Sequence, residues 1–112
     1  MTLDREVLRV RTEGKKFSDG WLTVFAALRK EGPSHPRLAI RVAKRAGNAP
    51  VRSRLKRLVR EIFRKDKENL KPALDCLVLI SPFPGAKKLK YGELKNKWDD
   101  LTSRSQMRAS SL

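Results

Sequence analysis

The stretch AKRAGNAPVRSRLKRLVREIFRKDKENL, residues 43–70, decides the fold of this chain. After a short loop, apolar residues recur at helical spacing, which predicts a long α-helix that opens near Pro50 and buries one side. The opposite side carries polar and basic residues. The apolar stripe consists of Val51, Leu55, Leu58, Val59, Ile62 and Phe63, and the basic side of Ser53, Lys56, Arg57, Arg60 and Arg64.

Positive charge dominates this helix and the whole chain. Eight Lys or Arg residues lie between Arg52 and Lys67, against two acids, and the 112-residue chain has a net charge of +15. Like charges one turn apart cost about 0.2–0.5 kcal/mol per pair, which each buried Leu, Ile or Phe offsets with about 1.5–3 kcal/mol. The excess of cations therefore indicates a nucleic-acid partner. A solvated basic face without a ligand is the alternative.

Length and composition indicate one small domain with a single core, over residues 1–104, followed by a disordered tail at 105–112. No apolar run is long enough to span a bilayer and the first residues do not form a signal peptide, so we expect a cytoplasmic protein with no membrane partner. A single cysteine, Cys76, excludes an internal disulfide and a cysteine-based zinc site. A catalytic pair with His35 is formally possible, but the apolar run around Cys76 is typical of core packing.

The other elements follow from periodicity and from turn residues. The loop at 31–36 is predicted to close a hairpin between two alternating strands, whose apolar faces lie under the long helix. The apolar run at 75–81 is predicted to be an internal strand, parallel to a neighbour across that helix. The predicted helices are 3–13 and 91–103, and the other predicted strands are 16–18, 21–28 and 37–43.

The second face of this sheet would place Trp21 and Phe25 beside Arg37 and Arg41. Aromatic rings between arginines suit single-stranded nucleic acid, because bases stack on rings while guanidinium groups bind phosphates. Alternatively, the first helix covers this face and Phe25 is ordinary core. Both interpretations are open at this point.

No catalytic constellation stands out in the sequence. The acids are scattered, and the pair Asp99-Asp100 on a helix is typical of a solvated surface. The AGNAP loop matches neither a Walker A loop nor a dinucleotide fingerprint. It does set the helix N-terminus beside Lys44 and Arg45, where a phosphate would be attracted.

The run KRAGNAPVRSRLKRLVREIFR, residues 44–64, closely resembles the signature of the bacterial ribonuclease P protein subunit. The strands around it resemble that family too, so the resemblance covers about residues 4–84. Ser53 stands where the family has Asn, Pro50 where it has Val, and the first helix has Val10-Arg11 where an aromatic is usual. The matching residues are Lys44, Arg45, Gly47, Ala49, Arg52, Arg54, Lys56, Arg57, Arg60, Glu61, Phe63 and Arg64.

The resemblance implies an α+β fold: a two-layer α/β sandwich of order αβββαβα with a left-handed βαβ crossover, like the second domain of a small-subunit ribosomal protein. It implies the protein subunit of an RNA-catalysed endoribonuclease, monomeric within the complex. Such a subunit binds the catalytic RNA and the 5′ leader of precursor tRNA, and assists 5′-end maturation. The RNA subunit and the Mg²⁺ that it binds perform the hydrolysis, so the protein supplies neither a catalytic residue nor a metal ligand.

The alternative function is a structural, ribosomal-type RNA-binding protein; a metal-dependent nuclease or a helix-turn-helix DNA-binding protein fits the residues less well.

Site residues are carried over from the resemblance position by position. The residues expected to bind the catalytic RNA are Lys44, Arg45, Arg52, Ser53, Arg54, Lys56, Arg57, Arg60 and Arg64, and those expected in the leader cleft are Phe25, Arg37, Arg41, Phe17 and Arg11.

Overall fold

The structure, a computed structural model, describes residues 4–30, 32 and 35–104. The predicted start of the first helix at residue 3 and the predicted tail at 105–112 lie outside the described residues. The α+β fold of order αβββαβα is confirmed. Its elements are α1 (Asp4–Glu13), β1 (Lys15–Asp19), β2 (Leu22–Leu28), β3 (Arg37–Val42), α2 (Ala49–Asp66), β4 (Leu74–Ile80) and α3 (Tyr91–Arg104).

The four strands form one sheet in the order β1-β2-β4-β3. Strands β1 and β2 are antiparallel, as are β2 and β4, whereas β3 and β4 are parallel and are connected by α2. The parallel pairing across the long helix is confirmed, but the predicted hairpin between β2 and β3 is wrong because β4 lies between them. Six of the seven residues of β4 are buried, and a strand that is apolar on both faces buries most surface in the middle of a sheet.

The N-terminus of α2 is formed by a tight loop. The side chain of Asn48 caps the helix by accepting a hydrogen bond from the Val51 backbone N–H at 3.1 Å. A Cβ atom at Gly47 would lie 2.6 Å from Cγ1 of Val51, so the loop can pack this closely on the first turn only with glycine there. Pro50 occupies the first turn, where its missing N–H costs no intrahelical bond.

The main core lies between one face of the sheet and helices α2 and α3. The predicted stripe of α2 contributes Leu55, Val59, Ile62 and Phe63 to it, all buried. Helix α1 packs on the other face, where Val10 is fully buried. Among the described residues, no helix is both long and apolar enough to cross a membrane.

A buried polar contact joins α2 to α3. The carboxylate of Asp66 is 4% exposed and accepts hydrogen bonds from Nε1 of Trp98 at 2.9 Å and from Nδ2 of Asn69 at 3.1 Å. The Trp98 ring also meets Phe63 edge to face, with the ring centroids 6.4 Å apart. The contact satisfies the indole N–H, which would otherwise be buried without an acceptor.

The substitution Asp66→Ala should lower the free energy of unfolding by about 1–3 kcal/mol, because it leaves the buried indole N–H of Trp98 without this acceptor. Urea unfolding followed by tryptophan fluorescence measures the change. The control is Glu68→Ala, which removes an exposed acid two residues away and should change stability by less than about 0.5 kcal/mol. Equal effects of the two substitutions would contradict the prediction.

Candidate nucleic-acid interface

The exposed side of α2 presents the cations that the sequence predicts. Ser53, Arg57, Arg60 and Arg64 are all exposed. Arg64 donates to Glu61 at 2.8 Å, which is the main reason why the pKa of that carboxyl lies below its ordinary value. Within the described part of the chain, Arg57 and Arg60 have neither an ion-pair nor a hydrogen-bond partner. Their guanidinium groups are therefore available to an external anion.

Three other predicted site residues on α2, Arg52, Arg54 and Lys56, are half-buried. Arg54 donates to the backbone carbonyl of Leu89 and so ties α2 to the turn before α3. Buried Nη1 of Arg54 and Nε of Arg52 make no hydrogen bond. Arg54 thus has a structural contact in addition to the charge for which the sequence singled it out.

The loop before α2 extends the basic surface past the helix N-terminus. Lys44 and Arg45 are exposed on a short 3-10 turn, Lys44–Ala46, directly before the Asn48 cap. The first backbone N–H groups of a helix and the positive end of its dipole attract anions. The loop and the exposed side of α2 therefore form one continuous cationic surface.

On the opposite face of the sheet, α1 covers Phe25. The ring is 7% exposed and packs in a small cluster with Val10, Ala39 and Leu77. Of the two interpretations that the sequence left open, the structure supports the second, in which Phe25 is core. Phe25 is therefore not an open stacking surface in this structure.

Two other aromatic residues lie elsewhere than expected. Phe17 is directly opposite Val24 in the antiparallel β1–β2 pair, so both side chains are on the α2–α3 face, where Phe17 packs against the main core. The expectation that Phe17 lines one cleft with Phe25 is therefore wrong. Trp21 lies in the turn before β2 and stacks on Phe83, with ring centroids 4.0 Å apart, rather than beside Phe25.

On the face of the sheet against which α1 packs, a strip next to Phe25 is more accessible than Phe25 itself. Arg41, Leu79, Thr23 and Ser18 are paired in register across β3, β4, β2 and β1, and this row spans about 14 Å at about 4.8 Å per strand. Arg41 and Ser18 are exposed, while Thr23 and Leu79 are half-buried. Arg11 is exposed in the last turn of α1. We call this row of four residues the open strip.

Asp75, which the sequence analysis did not single out, organises the other end of this face. Its side chain is fully buried, and both oxygens bind Arg37, at 2.8 and 2.9 Å. Arg9 of α1 donates at 2.6 Å, and Arg29 donates as well. An acid at the start of an apolar strand was the available signal, but its three partners come from distant segments that no local pattern connects.

This cluster, the Asp75 cluster, changes the expected role of Arg37. Burial alone would raise the pKa of the Asp75 carboxyl, but the hydrogen bonds and charges of Arg37 and Arg29 outweigh burial and hold the pKa below its ordinary value. The hydrogen bond with Asp75 raises the pKa of Arg37 in turn. The Arg37 side chain is 20% exposed and also reaches Glu6 at 3.5 Å. It therefore fixes α1 on the sheet instead of lining an open cleft.

Comparisons with known proteins agree with this geometry. A family model described as ribonuclease P matches residues 2–106. The chain is 33% identical over 90 residues to the ribonuclease P protein component of Dictyoglomus turgidum, covering 80% of this chain and 74% of that protein. Solved RNase P proteins of Staphylococcus aureus (25% identity, TM-score 0.84, 97% and 96% of the chains) and Thermotoga maritima (28%, 0.78, 93% and 94%) share its fold.

The substitution Asp75→Asn should lower the free energy of unfolding by about 3–5 kcal/mol at neutral pH, because it leaves buried guanidinium groups uncompensated. The folded-state pKa of Asp75 is depressed, so its contribution is present above the unfolded value of about 3.9 and is lost as the pH falls through the folded value. The difference between wild type and variant should therefore shrink below about pH 4. Urea titrations between pH 7 and 3 measure it.

The control for this experiment is Asp100→Asn, which removes an exposed carboxylate whose one ion-pair partner among the described residues is Arg104, on the surface of α3. It should have a far smaller effect at every pH. A difference between wild type and Asp75→Asn that stays constant down to pH 3 would contradict the assignment.

Proposed function

The chain belongs to the ribonuclease P protein family, and on that premise we propose that it binds the catalytic RNA of ribonuclease P and the 5′ leader of precursor tRNA. In this proposal one copy of the protein assembles with the RNA, which binds Mg²⁺ and performs the hydrolysis. The observation that supports it most is the exposed side of α2, where Arg57 and Arg60 lack partners within the described part of the chain.

The catalytic RNA would lie along the cationic surface of α2 and its preceding loop. Arginine binds phosphate oxygens with two parallel hydrogen bonds, and each neutralised phosphate releases counterions, which gives affinity without base readout. Ser53, in the middle of this surface, can donate one hydrogen bond, whereas the family's Asn could make more. The other side of α2 is buried in the core, so the positions from which these side chains extend are fixed before the RNA arrives.

The precursor leader would lie on the open strip. Arg41 supplies a guanidinium group, and Thr23 and Ser18 supply hydroxyls that hydrogen-bond to each other at 3.1 Å and could exchange that bond for one to the RNA. Arg11 would add a second cation from the end of α1. Phe25 lies beside the strip on the same face of the sheet, where α1 covers it, and contacts the leader only if α1 shifts.

The cysteine and the acid pair that could have served in catalysis have structural surroundings. Burial raises the pKa of the Cys76 thiol far above its ordinary range, so the thiolate nucleophile is disfavoured. Asp99 and Asp100 each pair with a cation one turn away on α3, Lys95 and Arg104. We therefore assign bond cleavage to the RNA subunit and its Mg²⁺, as the family resemblance implies.

Replacing Arg57 and Arg60 together with Gln should weaken binding to a bacterial ribonuclease P RNA. The slope of log affinity against log salt should become shallower by about 0.9 for each phosphate that the variant no longer neutralises. Filter binding between 50 and 200 mM salt measures both quantities; over that range the wild-type affinity should fall roughly 10³- to 10⁵-fold if about 6–10 phosphates are contacted.

The matched control removes two cations elsewhere. Lys15 and Lys16 are exposed on β1, at the sheet edge opposite β3, so Lys15→Gln with Lys16→Gln should leave most of the affinity for the catalytic RNA intact. A wild-type affinity that is flat across this salt range would refute the electrostatic account.

Adding the protein to a bacterial ribonuclease P RNA at low Mg²⁺ should stimulate removal of the 5′ leader from precursor tRNA, because bound cations replace part of the Mg²⁺ that the RNA needs. Substituting Arg41→Gln should reduce this gain more for a precursor with a long leader than for one with a single leader nucleotide. A structural, ribosomal-type RNA-binding protein would bind RNA without stimulating cleavage, and that outcome would favour the alternative.

A further inference from the structure

A groove of about 480 Å³ lies beside the N-terminus of α2, between the loop before this helix and the turn after β4. Its volume is in the usual range for small-ligand sites. Its apolar part comes from Val51, Phe83 and Ala86, and its rim from Asn48, Lys87 and Lys88. The residues of the turn after β4 belong neither to those expected to bind the catalytic RNA nor to those expected in the leader cleft.

The rim of the groove is cationic. Lys87 and Lys88 are exposed on a short 3-10 turn, Ala86–Lys88, and none of the described residues that line the groove is acidic. In the described part of the chain neither lysine has an ion-pair partner. The other side of the groove belongs to the loop that bears Lys44 and Arg45. The groove is thus continuous with the cationic surface of α2.

The aromatic wall of the groove is held in position. Trp21 covers one face of the Phe83 ring at a centroid distance of 4.0 Å and an interplanar angle of 9°, and Lys97 lies 5.3 Å from the centroid of the Trp21 ring. Phe83 is only half-buried, so the rest of the ring borders the groove. Gly85, in a left-handed conformation with φ of 87°, makes the turn that brings Lys87 and Lys88 to the rim.

We propose that this groove holds one unpaired nucleotide of the partner RNA, with its base against Phe83 and its phosphate at Lys87 and Lys88. An apolar wall with an aromatic ring and a rim with two lysines match the two halves of a nucleotide, since every base has an apolar face and every phosphate a charge. The inference rests on the proposed function and extends the RNA contact from α2 to the turn after β4.

Photocrosslinking tests the occupant directly. Cys76 is fully buried, so Lys87→Cys provides the one accessible thiol in the described part of the chain for an arylazide reagent. In the complex with a bacterial ribonuclease P RNA, the label at position 87 should crosslink to an unpaired nucleotide, mapped by primer extension. The control is Ser103→Cys, exposed near the far end of α3 and about 18 Å along that helix from Tyr91; it should give little or no crosslink.

Affinity measurements with matched variants complete the test. Phe83→Leu should weaken RNA binding about fivefold or more, the effect of losing one stacked base. Phe17→Leu, which changes another half-buried phenylalanine packed against the same core, should bind like wild type. Lys87→Gln with Lys88→Gln should weaken binding and flatten the salt slope more than Lys15→Gln with Lys16→Gln.

The outcomes separate this inference from the proposed function. If wild type binds the RNA and the Arg57/Arg60 variant binds weakly, but both groove variants bind like wild type and position 87 does not crosslink, the groove proposal is overturned and the function stands. If wild type shows no salt-dependent affinity for the RNA, both fail. Circular dichroism and urea unfolding of each variant verify that the fold is retained at the assay temperature.

Discussion

Strand β4 is apolar on both faces, so both faces have to be covered, and all but one of its residues are buried. Its central place in the sheet follows from this, and so do the helices that pack on either face. Helices α2 and α3 cover one face with the larger core, and α1 covers part of the other. The outer side of α2 and the open strip stay accessible because they face away from this packing or lie outside the area that α1 covers.

Arginine has two separate roles in this molecule. Arg9, Arg29 and Arg37 point inward to one buried carboxylate, Asp75. The contacts of Arg9 and of Arg37 with Glu6 hold α1 on the sheet. Arg57 and Arg60 point outward and have no ion-pair partner within the described part of the chain. The first set lowers the cost of a buried charge through hydrogen bonds, and the second leaves uncompensated charge for a polyanion. Net charge alone does not distinguish the two sets.

Local patterns in the sequence predicted the elements well and their pairing less well. The apolar stripe of α2 and the type and order of the helices and strands depend on the spacing of apolar residues along the chain, and this spacing can be read from the sequence. The hairpin between β2 and β3 was wrong because strand pairing depends on how all faces are buried together, and β4 competes for the central place. The same long-range effect put Phe17 on the α2–α3 face, away from Phe25.

The amino-acid sequence alone determined that a cationic helix has one buried side, and its signature was enough to identify the ribonuclease P family, because both are properties of contiguous residues. Tertiary structure decided which cations are exposed, that α1 covers Phe25, and that the turn after β4 borders a groove beside the start of α2. Those features join segments tens of residues apart. Their positions follow from burying the whole sheet at once, a requirement that no local stretch of sequence expresses.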